Sequence, residues 1–359
     1  MVSCGGKGGA EGRVVPPSVI QPPLPVETRS FHMALTPFSG DLTANADEFS
    51  KDYVVSHGDM LAFHFDNLPI GLPWEALAAG NVTTELEDYF QPFVALAASV
   101  PVGTRLYVAI SPLDQGRVTI APGSGGASFP ASLGAAEFDN PNVEAGYLRF
   151  CQFIVETFDP DYLAILVEGN IYQLQGDAQF QNLNDLYNTV YDVLKADKPE
   201  LQILSTFQVE FMHGLDQFNL LAGFADRLDL IGLSMYPSLG GGFEPAEIPA
   251  NWVSRFADEV SSPIIVSETG YGSEPFVNVP LNIDAPGSES LQQAYLNWLF
   301  EEAMEQNVRL VVWFFPTDLS GTLAVLAPEF STLGLTRADL TSKPAEAVWD
   351  SKLAVLYER

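Results

Sequence analysis

The sequence predicts an α/β protein built as one (β/α)8 TIM barrel with long loops on its C-terminal face. Three observations carry this. Eight apolar runs of strand length recur along the 359 residues. Helical patterns lie between them, and the long polar or glycine-marked segments follow strands rather than precede them. A doubly wound sheet is the competitor, disfavoured by eight well-spaced units and by the absence of a Gly-rich dinucleotide turn.

Residues 1–28 turn from Gly-rich to Pro-rich (Pro16, Pro17, Pro22, Pro23, Pro25) and read as a tether ahead of a single barrel over residues 29–359. The opening Met1-Val2-Ser3-Cys4-Gly5-Gly6 is similar to the end of a bacterial lipoprotein signal, in which a small residue precedes the lipidated Cys. Cys4 is therefore a candidate lipid anchor, and the expected location is extracellular or on the cell envelope. An arbitrary leader is the alternative.

The strands are read at residues 30–36, 59–66, 105–111, 162–168, 202–208, 230–236, 263–271 and 309–315. Most lack polar alternation, as strands buried on both faces do. Apolar residues at helical spacing predict helices over 86–98, 183–194, 252–260 and 291–304. Long loops follow the third strand (112–146), the sixth (237–249), the seventh (272–288) and the eighth (316–330). In a barrel the loops after strands build the functional face, so the insertions gather where a substrate would bind.

Composition narrows the chemistry. Lys+Arg number 16 against Asp+Glu 46, a formal net charge of -30. That opposes binding to nucleic acid or an anionic membrane surface and fits a neutral substrate or a saline habitat. A hydrophobic content of 47% with 11% aromatics is that of a well-buried globular chain. Cys4 and Cys151 supply neither a disulfide framework nor a zinc site, and the four His include no His-x-His pair, so no metal or other cofactor is expected. Gly270 and Gly272 are too slight a signal for a phosphate loop.

The strand ends carry the polar chemistry. The second strand delivers His64 and Asp66, the fourth Glu168 and Asn170, the fifth Gln208 and Glu210. The sixth delivers Tyr236, the seventh Glu268 and the eighth Trp313. Two Glu residues facing each other across a barrel mouth are what glycoside cleavage needs: one carboxyl protonates the leaving oxygen, the other attacks or stabilises the anomeric carbon. Bland roles remain open for the others. Gln208 and Glu210 could cap the next helix, Asp66 could form an ion pair, and Trp313, beside Phe314 and Phe315, could belong to the core.

Val167-Glu168-Gly169-Asn170, Ser234-Met235-Tyr236-Pro237, Val266-Ser267-Glu268-Thr269-Gly270 and Val312-Trp313-Phe314 together resemble the clan A retaining glycoside hydrolases, in particular the endo-β-1,4-galactanase branch. The resemblance implies Glu268 as nucleophile, Glu168 as acid/base, a Tyr236 hydroxyl supporting Glu268, and Trp313 lining the sugar site. Asn170 would bind a sugar 2-hydroxyl. The expected substrate is a β-linked plant or algal polysaccharide and the expected state a monomer; the long, Gly-containing loops suggest an extended cleft and hence endo action, while a loop-closed pocket would serve an exo enzyme equally well. One departure stands out: that group has Asn immediately before its acid/base Glu, whereas here the order is Glu168-Gly169-Asn170. Glu210 and Asp66 are the substitute proton donors. A surface carbohydrate-binding barrel that has lost turnover is the non-enzyme alternative.

Overall fold

A computed structural model describes Met1 and residues 27–358. The tether and the Cys4 anchor expected from residues 1–28 fall, but for Met1, Glu27 and Thr28, outside the described residues. Eight parallel strands form a nearly closed barrel: β1 (His32–Leu35), β2 (Met60–His64), β3 (Arg105–Ala109), β4 (Tyr162–Leu166), β5 (Gln202–Gln208), β6 (Leu230–Met235), β7 (Ile264–Thr269) and β8 (Leu310–Trp313). Each strand pairs with its sequence neighbour from β2 round to β8, and β8 pairs with β1. Between β1 and β2 the seam is closed by Asp59, whose backbone N–H donates to the Met33 carbonyl at 2.9 Å. Its carboxylate accepts from the Met33 N–H at 2.8 Å. All eight strands read from the sequence are present.

Helices α1 (Ala44–Ser56), α2 (Thr84–Ser99), α3 (Pro141–Phe158), α4 (Asp177–Asp197), α5 (Val209–Gly214), α6 (Ser254–Glu259), α7 (Glu289–Glu305) and α8 (Pro344–Leu353) complete the alternation. Thr43, Thr83, Asn140 and Ser288 start α1, α2, α3 and α7 by accepting a backbone N–H of the first turn, which satisfies an otherwise orphaned donor. Helices α2, α4 and α7 cover three of the four stretches read from the sequence, and α6 occupies only Ser254–Glu259 of the fourth, 252–260. Helix α1 is polar and buries only Ser50, Tyr53 and Val54, so its apolar period is faint. Helix α3 begins inside the loop assigned to 112–146, at the Asn140 cap.

Small side chains (Ala34, Ala62, Ala109, Ala164) line the barrel interior among Tyr107, Tyr162 and other larger residues. The opposite strand faces pack against the helices in a continuous outer core. Connections into the strands from α1, α2, α3, α4, α6 and α7 are three to five residues long. The loops after the strands hold further structure: the helix Trp74–Ala78 after β2, the helix Pro237–Gly241 after β6, the hairpin Phe276–Asn278 with Ile283–Ala285 after β7, and the helix Gly321–Leu326 after β8. Lys343 ties part of this face together, its buried ammonium donating to Ser273 Oγ, Asp318 Oδ1 and the Gly334 carbonyl at 2.8, 2.5 and 2.8 Å. Among the described residues no helix is long and apolar enough to cross a membrane.

Candidate active site

The site is assembled by two breaks in strand register. On β7, Ile265 faces the barrel interior and Ile264 and Val266 the helices. Strict alternation would send Glu268 outward. The pairing with β6 shifts between Leu233 and Ser234, and that with β8 between Val311 and Trp313. The extra residue re-aims Glu268 into the mouth, opposite Ser234. A similar shift on β4, between Ala164 and Leu166, precedes Glu168. Glu168 then adopts the left-handed region at φ 51°, and its N–H donates to Thr206 Oγ1 at 2.9 Å.

Glu168 and Glu268 meet through one hydroxyl. Ser234 Oγ lies 2.6 Å from Glu168 Oε1 and 2.5 Å from Glu268 Oε1. Those two contacts put the nearest carboxyl oxygens at most about 5 Å apart, closer than the roughly 6.5–9.5 Å that an inverting pair leaves for its water. Arg117, in the loop after β3, holds the other edge of Glu168 by donating from Nε to Oε2 at 3.2 Å, and donates from Nη2 to Asp66. The Arg117 backbone is fixed in a left-handed turn, its N–H donating to the Asp114 carbonyl at 3.0 Å. His64 donates from Nε2 to the Ser267 carbonyl at 3.1 Å, which leaves Nδ1 facing Glu268 Oε2 at 3.4 Å and Asp66 Oδ1 at 3.6 Å. The six side chains close a ring: Glu168, Ser234, Glu268, His64, Asp66, Arg117.

The ring is almost dry, with side-chain exposures of 15% for Glu168, 12% for Asp66 and 7% for both Arg117 and Glu268. Burial and the neighbouring Glu168 charge push the Glu268 carboxyl up. Burial opposes ionisation of Asp66, but the Arg117 and His64 charges outweigh it and hold that carboxyl well below the usual range. For His64, burial is likewise outweighed, by Asp66 and Glu268, and its charged form is favoured. Among the described residues no group of His, Cys, Asp or Glu is arranged to hold a metal ion.

The structure brings Glu168, Glu268, His64 and Asp66 together and gives the five other candidates different roles. Tyr236 does not bond Glu268: its hydroxyl is buried with no hydrogen-bond partner among the described residues, and Ser234 takes that place. Trp313 is fully buried, packs towards Tyr295 and donates from Nε1 to the Leu333 carbonyl at 2.9 Å. It follows the outward parity of Val311, so it cannot line a sugar site. Phe314, half-buried, takes the mouth position edge-on to His64 at 5.4 Å, with Phe38 and Phe330 beside it.

Asn170 is also buried and fully engaged. Its Nδ2 donates to the Gln208 carbonyl and to Gln217 Oε1, both at 3.1 Å, and Oδ1 accepts from the Gln208 N–H at 2.8 Å. It braces β4 to β5 and has nothing left for a 2-hydroxyl. Gln208 caps α5 by accepting the Phe211 N–H at 2.7 Å. Glu210 is a buried anchor whose carboxylate accepts from the Tyr236 N–H at 2.8 Å and from Gln208 Nε2 at 2.5 Å. Burial pushes its carboxyl up to about 8. Gly240 is required there, since a Cβ would stand 2.5 Å from Glu210 Cγ.

Two members of the ring lie outside the candidates read from the sequence. Ser234 belongs to the Ser234-Met235-Tyr236-Pro237 motif; its signal is that it is the one polar residue of Leu230–Met235. Arg117 carries only the weak signal of a basic residue, in a chain poor in them, within a long loop after a strand.

No family model and no curated protein matches this sequence. Solved structures do match in fold. The exo-β-1,4-mannosidase Op5Man5 from Opitutaceae bacterium strain TAV5 superposes with a TM-score of 0.63 at 12% identity, over 92% of this chain and 61% of that one. The GH5_18 protein from Streptomyces cattleya, in complex with GlcNAc, gives 0.61 at 16% identity over 91% and 80%. An uncultured Clostridium sp. β-glucuronidase gives 0.54 at 11% identity over 91% and 53%. The chain thus spans less than two thirds of the mannosidase and of the glucuronidase. At these identities the likeness establishes the barrel alone.

Proposed function

We propose that the chain is a glycosidase that cleaves β-linked glycosides with retention through Glu268 and Glu168. One observation carries the reading: two carboxyl groups from β7 and from the end of β4, brought within about 5 Å of each other in a nearly dry mouth, the spacing that a double displacement needs. Glu268 attacks the anomeric carbon while Glu168 protonates the departing oxygen. Glu168 then acts as base on the water that releases the sugar. The similar structures named for β-1,4-mannosidase and β-glucuronidase activity support a β-linkage.

A neutral polysaccharide from plants or algae fits the surplus of negative charge, and the long loops after β3, β6, β7 and β8 suit endo action on a polymer. Ser234-Met235-Tyr236-Pro237 keeps β-1,4-galactan among the substrates. Action as a monomer outside the cell or on its envelope, with Cys4 as anchor, completes the reading. A carbohydrate-binding barrel without turnover is the second reading, favoured by the hold of Arg117 on Glu168.

The test is reducing-sugar release from β-galactan, β-mannan and other plant and algal glycans, with wild type and Glu268→Gln. Release by wild type that Glu268→Gln abolishes, with the product first appearing as the β-anomer, is the expected result. Binding without release from any glycan would favour the second reading.

A further inference from the structure

The shared hydroxyl at the centre of the ring imposes a proton count. Ser234 Oγ carries one hydrogen yet lies 2.6 Å from one carboxyl oxygen and 2.5 Å from another. It donates to one and must accept from the other, so one of the two carboxyls is protonated whenever both contacts exist. The surroundings choose which. Arg117 contacts Glu168 directly and does not donate to Glu268. Glu268 is the more buried of the pair; His64, 3.4 Å away, favours its anion when charged, but burial and the nearby Glu168 and Asp66 charges outweigh that pull, while Glu210 lies on the Glu168 side. The Tyr107 and Tyr236 hydroxyls are buried and carry no charge that could stabilise either anion. In the free protein the proton therefore rests on Glu268, opposite to where a retaining reaction needs it.

We infer that Ser234 is a proton relay that carries the pair's single proton from Glu268 to Glu168 when a ligand draws Arg117 away from Glu168. The transfer balances. The Oε1–H bond of Glu268 breaks as its proton joins Ser234 Oγ, and the original Ser234 proton passes to Glu168 Oε1. Glu268 becomes the carboxylate, Glu168 the acid, and the Ser234 hydroxyl is restored. The free site is thus a resting state, and the same movement that admits the substrate arms both groups. The catalytic consequence rests on the glycosidase reading; the proton count does not.

The experiment separates the two. Glutamate labelled with 13C at the side-chain carboxyl is titrated by NMR in wild type, Ser234→Ala and Ser234→Thr, with Glu168→Gln and Glu268→Gln assigning the two signals. The relay predicts that near pH 7 the wild-type Glu268 signal is that of an acid and the Glu168 signal that of a carboxylate. It predicts that Ser234→Ala shifts both titrations and Ser234→Thr restores them. Two ionised carboxylates near pH 7 in wild type, or titrations unmoved in Ser234→Ala, overturn it. On a cleaved glycoside, Ser234→Ala lowers kcat by roughly 100-fold and displaces the pH profile, with rescue in Ser234→Thr; an undisplaced profile also overturns the relay. Wild type that cleaves nothing removes the glycosidase reading and leaves the NMR result to decide the proton count.

Discussion

Arg117→Met removes the guanidinium that Asp66 and Glu168 share. The side chain lost is 7% exposed, and its two partners are 12% and 15% exposed, so little water is at hand to replace it. Breaking a buried pair by deleting one partner costs about 3–5 kcal/mol, because the surviving charge stays buried without compensation. For a chain of this length that corresponds to roughly 4–7 °C in Tm, since each residue adds about 2 cal/mol/K to the unfolding entropy. Among the described residues Asp66 then keeps His64, and Glu168 keeps the Ser234 hydroxyl. Arg117→Lys recovers part of the loss, because a single ammonium can face one carboxylate and cannot fork between two. Adding Asp66→Asn to Arg117→Met removes one stranded charge, so the double variant falls short of the summed single losses.

The pH dependence has a definite sign. Asp66 has a depressed carboxyl in the fold, so its stabilisation is present above its unfolded value of about 3.9 and is lost as the pH falls through the lower folded value. The gap between wild type and Arg117→Met therefore narrows on acidification. The assay is thermal unfolding followed by circular dichroism at neutral pH and at about pH 2, between the unfolded and the folded value of Asp66. A Tm for Arg117→Met within about 1 °C of wild type at neutral pH would refute the view that this ring is held together by a buried charge network.

Two other outcomes follow from the same geometry. Trp313→Phe leaves ligand affinity unchanged, as measured by isothermal titration with any glycan that wild type binds, and lowers stability by about 1–3 kcal/mol through lost volume and the lost indole hydrogen bond to the Leu333 carbonyl, which keeps only Gln292 Nε2 as donor; a large loss of affinity at unaltered stability would return Trp313 to the sugar site. Glu210 has a raised carboxyl in the fold, so wild-type stability declines as the pH climbs from about 4.3, where the unfolded side chain ionises, to about 8; Glu210→Gln flattens that part of the urea-denaturation profile, and an unchanged slope would show that Glu210 ionises normally.

Most of the fold is legible in the sequence because strand burial and barrel order are local signals. Eight apolar runs, short returns and long loops after strands need no tertiary information. The positions of Glu168 and Glu268 at the ends of the fourth and seventh strands follow from them, as does the capping by Gln208. Which way each side chain points is a different matter. Strands buried on both faces are apolar on both, so Leu310–Trp313 offers no polar alternation to set its parity. The sequence reading accordingly placed Trp313 in the mouth, where the structure places Phe314.

The parity of Glu268 depends on an irregularity shared with β6 and β8, a property of three strands rather than of one. Asn170 looked free for a ligand because its partners, Gln208 and Gln217, come from other segments of the chain. Arg117 reaches the ring from a loop after β3, 51 residues from each of its two carboxylates. By itself the sequence determined the barrel, the face that carries its long loops and the two acids at its rim, because hydrophobic burial and turn chemistry act over short spans. Only the tertiary structure decided that Ser234 and Arg117 govern those acids, because a charge network is set by distances in space that residue spacing does not encode.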